Sequence, residues 1–298
     1  MYKQRIIDVW KLCLVVFGLG SCFLGLGSCR FFLPHQDWDV NHRFTILPPQ
    51  EVQIRRFRRA DRFSFAFFAD IQVDRRVPEA LRAPVMPIFS AYIRDNPVDF
   101  LVSGGDNTEQ GWPEEYQFVD DALNALNTPI YWCLGNHDLF GEGWSEWVKR
   151  YGSSMRVLRV RNSSIYILDN ANGIFGVKQR QWLERLLRED TSQHRFVVMH
   201  YPMFVAMHFV LEGQAMMREA YHISDLFERY GVRHVLMGHS HAYRVVSFNG
   251  VQYITAAALK ETSPSKMFLR VDVGERVQIT NVPLEVPGYL PSISQKKP

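Results

Sequence analysis

The side chains best suited to bind divalent metal ions fall in five short runs along this chain. Carboxylates, carboxamides and imidazoles are the ligands that borderline divalent ions accept most readily. A single run of this kind is a weak signal, because loop histidines and turn asparagines are common. Together the runs predict one metal centre assembled from distant segments. In chain order they are Asp70-Ile71-Gln72, Gly105-Asp106-Asn107, Gly135-Asn136-His137-Asp138, His200 and Gly238-His239-Ser240-His241.

Apolar, strand-like segments precede these runs and must position them. Bound groups in open α/β sheets gather outside the carboxyl ends of the strands, so side chains that follow such strands should meet at one edge. Flanking glycines allow the sharp backbone turns that this requires. The predicted strands that lead into the runs are 63–69, 99–103, 130–134, 195–199 and 232–237.

The remaining periodicity indicates an α/β architecture. Apolar residues at helical spacing predict helices near 87–94, 114–126 and 178–188. Hairpin-like pairs and a late series of short strands cover 156–160, 164–168, 244–248, 251–255, 267–273 and 277–280. Alternating strands and helices followed by a run of strands predict two mixed sheets packed face to face with helices outside.

The ordered set of runs resembles the calcineurin-like metallophosphoesterase superfamily over residues 63–258. Its signature is Asp-x-His, Gly-Asp, Gly-Asn-His-Asp/Glu, His and Gly-His-x-His. The resemblance implies a four-layer α-β-β-α sandwich that hydrolyses phosphate esters at a binuclear metal centre. It assigns Asp70, Gln72 and His241 to one metal. It assigns Asn136, His200 and His239 to the other, with Asp106 bridging both.

Two metal ions would acidify a bound water to hydroxide and clamp the phosphate oxygens. The resemblance directs His137 toward the scissile phosphate, where it would bind substrate and stabilise or protonate the leaving oxygen. Asp138 is expected to orient His137 and Asn107 to touch a substrate oxygen, although a loop cap and ordinary turn chemistry explain these two equally well. Asp169 and Asn170 either support the site or form a simple turn.

One position departs from the family pattern, because Gln72 stands where histidine is usual. Asp-x-Gln also occurs in the manganese-dependent ADP-ribose/CDP-alcohol diphosphatases, which this chain resembles around residues 63–72. That similarity favours Mn²⁺, with Fe, Zn and Ni as other candidates, and a phosphodiester or diphosphate substrate. Three alternatives stay open: a drifted ligand without bearing on the substrate, a phosphomonoesterase, and a non-catalytic surface lipoprotein that retains the fold.

The N-terminus has the features of an export segment. Lys3, Arg5 and Lys11 precede an uncharged, glycine-rich stretch over 12–29. Leu-Gly-Ser-Cys ends at Cys22 and again at Cys29, and each resembles a lipoprotein processing box. A lipoprotein signal with Cys29 as the lipid site and an uncleaved anchor both predict an extracytoplasmic, membrane-tethered protein.

We therefore expect four segments. They are a signal or anchor over 1–33, a linker arm over 34–62, a metallophosphoesterase domain over 63–285 and a C-terminal tail over 286–298.

Composition narrows the partners. The chain has 298 residues, 47% of them hydrophobic, which is enough for a large core. A net charge of +3 is too small to favour nucleic acid. The local cluster of arginines within 55–62 is expected to be a solvated edge, with contact to anionic lipid headgroups as the alternative. The expected partner is a small phosphate ester, lipid or nucleotide, and the oligomeric state stays open.

Overall fold

A computed structural model describes residues 36–78, 82–204 and 213–285 of the chain. The expected signal or anchor (1–33) and the tail (286–298) lie outside these residues. Chain contacts divide the protein into two units, 1–39 and 40–298, and Gln36–Trp38 of the first unit forms one 3₁₀ turn. Within the described ranges, no helix has both the length and the apolar character needed to cross a membrane.

Regular structure fills most of the second unit. In the described ranges its α-helices are α1 (Val40–Ile46), α2 (Val85–Asp95), α3 (Pro113–Asn124), α4 (Gly143–Tyr151), α5 (Val177–Glu189) and α6 (Gly213–Arg229). The first six strands are β1 (Gln50–Ile54), β2 (Phe63–Phe68), β3 (Phe100–Ser103), β4 (Ile130–Tyr131), β5 (Arg156–Val160) and β6 (Ser163–Ile167). The others are β7 (His194–Val198), β8 (His234–Met237), β9 (Arg244–Phe248), β10 (Val251–Thr255), β11 (Met267–Val273) and β12 (Val277–Pro283).

The strands form two mixed sheets. One has seven strands in the order β1-β5-β6-β7-β8-β10-β9, and the other has five in the order β12-β11-β2-β3-β4. The pairs β2–β3, β3–β4, β6–β7 and β7–β8 are all parallel. The carboxyl ends of parallel strands lie at the same edge of a sheet, so each sheet gathers its predicted metal-binding turns at one edge.

Phenylalanines of β2 pack on both faces of the five-stranded sheet, which explains the continuous apolar sequence of this strand. Phe65 meets Phe196 of β7 edge to face at 5.8 Å in the core between the two sheets. Phe68 points the other way and packs against Phe89 of α2, with ring centroids 5.4 Å apart. The α2 helix therefore covers the outer face of this sheet.

A second apolar cluster covers the outer face of the seven-stranded sheet. Leu183 of α5 and Leu226 of α6 pack there with Val197 of β7. Helices thus flank two sheets that face each other, and the predicted four-layer α-β-β-α sandwich is confirmed. The helix α4 was not predicted, and β4 keeps only the first two residues of the expected strand over 130–134.

The expectation of a linker arm over 34–62 is wrong for most of its length. The segment contains α1 and the edge strand β1, which pairs in parallel with β5 from Gln50–Arg156 to Ile54–Val160. Arg43 of α1 is fully buried and forms a two-pronged ion pair with buried Asp169, at 2.7 and 2.6 Å. The polar sequence of this segment concealed its burial, because the arginine is neutralised by a residue more than a hundred positions away.

Candidate metal centre

Backbone hydrogen bonds align the turns that carry the predicted ligands. The N–H groups of Asp70 and Gln72 donate to the carbonyls of Gly105 and Asp106, each at 3.0 Å. These bonds join the turn after β2 to the turn after β3. The His239 N–H donates to both carboxylate oxygens of Asp70, at 3.0 and 2.9 Å, and so joins the two sheets. The predicted runs therefore meet in one place.

Five predicted ligands have left-handed backbone conformations, which cost non-glycine residues roughly 1 kcal/mol or more each. Strain of this kind persists where the surrounding structure enforces it, and it clusters at functional sites. Its concentration at these turns therefore points to a built site. The φ values are 56° for Asp70, 46° for Gln72, 53° for Asp106, 71° for His239 and 55° for His241.

One group of donor atoms surrounds the Nε2 atom of His200. That atom lies 3.3 Å from Asp106 Oδ2, 3.1 Å from Asn136 Oδ1 and 3.3 Å from His239 Nδ1. The opposite ring nitrogen of His200 donates to the carbonyl of Gly104 at 2.9 Å, so a neutral His200 presents its lone pair to the group. Such close, convergent acceptors fit a cation bound at the distance of about 2.1 Å usual for imidazole ligands.

The electrostatics of this group favour a positive charge. Burial lowers the pKa of His200, but the Asp106 and Asp70 carboxylates and the hydrogen bond to Gly104 together raise that pKa to about 9. A cation at Nε2, whether a proton or a metal ion, is therefore stabilised. Burial and the charge of His200 lower the pKa of His239 to about 3, so His239 is the neutral imidazole that metal ligation requires.

A second group of potential ligands also includes a neighbour of Asp106. His241 Nε2 is 3.6 Å from Asp70 Oδ1, and the Gln72 amide nitrogen donates to Asp106 Oδ2 at 3.2 Å. The Gln72 carbonyl oxygen is buried and has no hydrogen-bond partner among the residues that the structure describes. Burial raises the pKa of Asp70 to about 8. An orphaned amide oxygen beside a buried carboxyl group is costly, and a divalent cation would satisfy both, so the donor set fits a metal.

His137 lies at the rim of this centre. Its backbone N–H donates to Asp106 Oδ1 at 2.8 Å, and its side-chain Nδ1–H donates to the carbonyl of Glu109 at 2.7 Å. The Nε2 atom is 4.0 Å from Asp106 Oδ2, and the side chain is 23% exposed. The Nε2 atom of His137 therefore lies near the Asp106 carboxylate, on a side chain that is partly open to solvent.

The structure corrects the predicted role of Asp138. Its carboxylate accepts hydrogen bonds from the N–H groups of Asn107, Thr108 and Gly135, at 2.9, 3.0 and 3.1 Å. The Asn107 amide and the Thr108 hydroxyl also donate to it, each at 3.1 Å. Asp138 is fully buried and ties two ligand-bearing turns together, and the Glu109 carbonyl orients His137 in its place.

The predicted substrate contact of Asn107 is also wrong. Asn107 is fully buried, its Oδ1 accepts from the Ser103 hydroxyl at 2.6 Å, and its Nδ2 donates to Asp138. The side chain therefore has structural partners on both sides and stabilises the turn after β3.

Asn170 supports the centre, whereas Asp169 does not. Asn170 Oδ1 accepts the N–H groups of His200 and Tyr201, at 2.9 and 3.0 Å, which fixes the backbone of a ligand. Asp169 instead pairs with Arg43. Neighbouring residues at one strand end thus serve different purposes.

Glycine is required where the turns approach each other most closely. A Cβ atom on Gly135 would lie 2.2 Å from Asp106 Oδ1, and one on Gly105 would lie 2.7 Å from His200 Nδ1. Any side chain at these positions would displace a ligand. The glycines noted in the sequence thus serve close packing as well as backbone freedom.

Sequence reasoning missed Lys260. Its Nζ donates to Glu109 Oε2 at 2.8 Å, across a separation of 151 residues. The preceding Leu259 N–H donates to the carbonyl of Ala69, beside Asp70, at 3.0 Å. No motif marks Lys260, and only the fold brings it to the rim.

A two-sheet α/β sandwich with these donors at its strand ends defines a metallophosphoesterase. The family model described as "Calcineurin-like phosphoesterase" matches residues 63–243, more than half of the chain. The chain belongs to this family.

Similar proteins fall in the same superfamily. A 3',5'-cyclic-nucleotide phosphodiesterase of Nostoc sp. is 24% identical over 152 residues, covering 48% of this chain and 56% of the relative. The 3',5'-cyclic adenosine monophosphate phosphodiesterase CpdA of Escherichia coli K12 is 26% identical over 162 residues, covering 51% and 58%. The chain thus spans somewhat more than half the length of these curated relatives.

A solved dimetal phosphatase from Danio rerio has a TM-score of 0.58 at 16% identity, covering 76% of this chain and 100% of that chain. A purple acid phosphatase from yellow lupin has a TM-score of 0.60 at 14% identity, covering 75% of this chain and 52% of that chain. At such identities the likeness establishes the fold alone.

Proposed function

We propose that this protein hydrolyses a phosphodiester or diphosphate bond at a binuclear metal centre. The observation that carries the proposal is the position of the Asp106 carboxylate. Its Oδ2 atom lies 3.3 Å from His200 Nε2 and accepts a hydrogen bond from the Gln72 amide nitrogen at 3.2 Å. One carboxylate therefore contacts both groups of potential ligands. A shared carboxylate offsets the repulsion between two neighbouring dications, which is the arrangement that two-metal hydrolases need.

The two donor groups differ in hardness. Asp70, Gln72 and His241 would hold one ion, and Asn136, His200 and His239 the other, with Asp106 common to both. Four of the seven donors are oxygens, which favours Mn²⁺, while Fe, Zn and Ni suit the imidazoles. The metal ions would supply Lewis acidity, which neutralises phosphate charge and generates a nucleophile from water near neutral pH.

His137 is the proposed acid. Its Nδ1–H is held by the Glu109 carbonyl, so the protonated ring carries its second proton on Nε2, toward the site. Transfer of that proton to the departing oxygen would leave a neutral ring with its Nδ1–H bond intact. The Glu109 carboxylate lies 3.9 Å from His137 Nδ1.

Two observations favour a phosphodiester or diphosphate substrate over a phosphomonoester. The curated relatives named above are phosphodiesterases. The Asp-x-Gln run, in which the Gln72 side-chain oxygen is buried, resembles the diphosphatases described in the sequence analysis. Nucleotide and lipid diphosphates are thus the first substrates to screen.

The test compares two chromogenic esters on the full-length protein, stripped of metal and reloaded with Mn²⁺. Metal content is measured by mass spectrometry beside turnover of bis-p-nitrophenyl phosphate and p-nitrophenyl phosphate. Two ions per chain and faster Mn²⁺-dependent turnover of the diester are expected. One ion per chain contradicts the binuclear centre, and preference for the monoester moves the assignment to a phosphomonoesterase.

We further propose an extracytoplasmic location with the enzyme tethered to a membrane through residues 1–33. The basic start, the uncharged stretch and the Leu-Gly-Ser-Cys run at Cys29 support it. Labelling of cells with radioactive palmitate should tag the wild type and the Cys22→Ser variant, and Cys29→Ser should abolish the label. Label that survives in Cys29→Ser would contradict lipidation at this residue.

A further inference from the structure

A lysine and a glutamate form an ion pair next to turns that carry the predicted metal ligands. Lys260 Nζ donates to Glu109 Oε2 at 2.8 Å, and the two side chains are 24% and 15% exposed. The backbone of Lys260 follows Leu259, whose N–H is bound to the carbonyl of Ala69. The lysine therefore starts beside the metal ligand Asp70 and extends along the rim.

The glutamate connects this pair to the proposed acid. The Glu109 carbonyl holds His137 Nδ1 at 2.7 Å, and the Glu109 N–H is bound to the carbonyl of Val73 at 2.9 Å. Glu109 is thereby fixed by its backbone, whereas its carboxylate is free to exchange partners. The Lys260 ammonium is thus anchored through its own backbone beside the turn after β2, and it pairs with the residue whose carbonyl holds His137.

The proposed catalytic roles do not explain this ammonium. It is not a metal ligand, and the residues that fix His137 are backbone groups. A partly exposed ion pair contributes little to stability, so an incoming anion can compete for the lysine at small cost. Phosphate oxygens are such anions, and lysine binds them as a flexible point charge.

We propose that Lys260 exchanges Glu109 for the second phosphate of a diphosphate substrate, and so gives the site a preference for diphosphates over compounds with one phosphate. The inference rests on the proposed function and narrows its substrate class. The metal centre would hold the scissile phosphate, and the lysine would hold the neighbouring one. A charge-assisted hydrogen bond of this kind corresponds to a preference of about tenfold or more.

The experiment measures binding by calorimetry, using ADP and AMP on the full-length protein at the same free Mn²⁺ concentration. The wild type should bind ADP about tenfold more tightly than AMP. Lys260→Met should abolish this preference and leave AMP binding within about twofold, and Lys260→Arg should retain the preference. Lys149→Met is the matched control, because Lys149 is 73% exposed and pairs with Glu146 on a helix.

The Glu109→Gln variant distinguishes phosphate binding by Lys260 from a purely structural role of the Lys260–Glu109 ion pair. Removing the competing carboxylate should strengthen ADP binding, whereas Lys260→Met should weaken it. A tie that only holds the rim together would move both variants in the same direction. A shift of ADP binding in the same direction in both variants would overturn the proposal. So would a preference for ADP that survives in Lys260→Met, or a wild type that binds ADP no more tightly than AMP.

Turnover distinguishes this proposal from the proposed function. A wild type that hydrolyses neither bis-p-nitrophenyl phosphate nor ADP-ribose, but binds ADP through Lys260, would refute the hydrolytic assignment and keep the recognition site. If the wild type hydrolyses the diester but its ADP binding does not depend on Lys260, the hydrolytic assignment stands and the recognition site is refuted.

Discussion

At the scale of single residues, Asp106 contacts more of the centre than any other ligand discussed above. Its carboxylate faces His200 and Gln72, and it accepts the backbone N–H of His137. Burial raises the Asp106 pKa, but His200 and His137, through their charges and hydrogen bonds, together lower it to about 2, so this carboxylate is ionised at neutral pH. Removal of its negative charge should therefore affect both donor groups at once.

Asp106→Asn should lower metal occupancy and turnover together, with a loss in activity of about 100-fold or more, because a neutral amide cannot offset two dications. Metal content after dialysis and kcat/KM on the diester measure the effect. The amide matches the carboxylate in size, so a folding defect is not expected. Full activity with two bound ions would refute the bridging assignment.

His137→Gln should separate chemistry from metal binding. The backbone N–H bond to Asp106 survives the change, so both ions should stay bound. Loss of the acid should lower kcat by about 100-fold to 10,000-fold. A better leaving group needs less help from an acid, so the loss should shrink with p-nitrophenyl esters compared with alkyl esters. Equal losses on both would contradict the acid role.

The sequence predicted which turns meet at the site, but it assigned the wrong roles to two residues beside the predicted ligands. The meeting of Asp70, Gln72, Asp106, Asn136 and the histidines could be predicted because each follows a strand and carries a side chain of a metal-binding type, and their ligation of a metal stays a prediction. The roles of Asp138 and Asn107 could not, because adjacency to His137 or Asp106 says nothing about which way a buried side chain points. Five donors from neighbouring turns converge on Asp138, and that convergence exists only in the folded chain.

At the scale of secondary-structure elements, the centre depends on turns that hold each other in place. The turn after β3 and the turn after β4 are joined through the Asp138 carboxylate. The close approach at Gly135 leaves no room for adjustment, since a Cβ there would collide with Asp106. Distortion of one turn should therefore be transmitted to the ligands on the other.

Asp138→Asn tests this coupling. An amide NH₂ would face N–H or O–H donors in either orientation, which should cost about 3 kcal/mol of unfolding free energy. Urea unfolding of the metal-free protein measures it, and Asp121→Asn provides the control, because Asp121 is exposed and accepts a bond from Gln117. A change below about 0.5 kcal/mol would refute the tie between turns.

At the scale of the whole molecule, the second unit begins before the boundary that the sequence suggested. The edge strand β1 extends the seven-stranded sheet, and α1 inserts Arg43 against Asp169. Asp169 is buried, so it would be left without its cation if α1 were absent. The family model starts at residue 63 and so omits both elements.

A fragment of residues 63–298 should accordingly be less stable than one of residues 40–298. An uncompensated buried carboxylate alone costs about 3–5 kcal/mol, and the exposed edge of β5 adds to it. Thermal unfolding of the two fragments at equal metal concentration measures the difference, with Arg43→Met in the longer fragment as the point-mutant comparison. Equal melting temperatures would contradict the role assigned to α1.

The left-handed backbone at the turns of the predicted ligands affects the choice of substitutions for mutagenesis of this protein. Alanine scanning would confound two quantities at Asp70, Gln72, Asp106, His239 and His241, because alanine tolerates a positive φ poorly and also removes the ligand. Asparagine adopts this conformation several-fold more often than most residues. Asparagine and glycine scans in parallel would therefore report ligand chemistry and backbone preference as separate contributions, residue by residue.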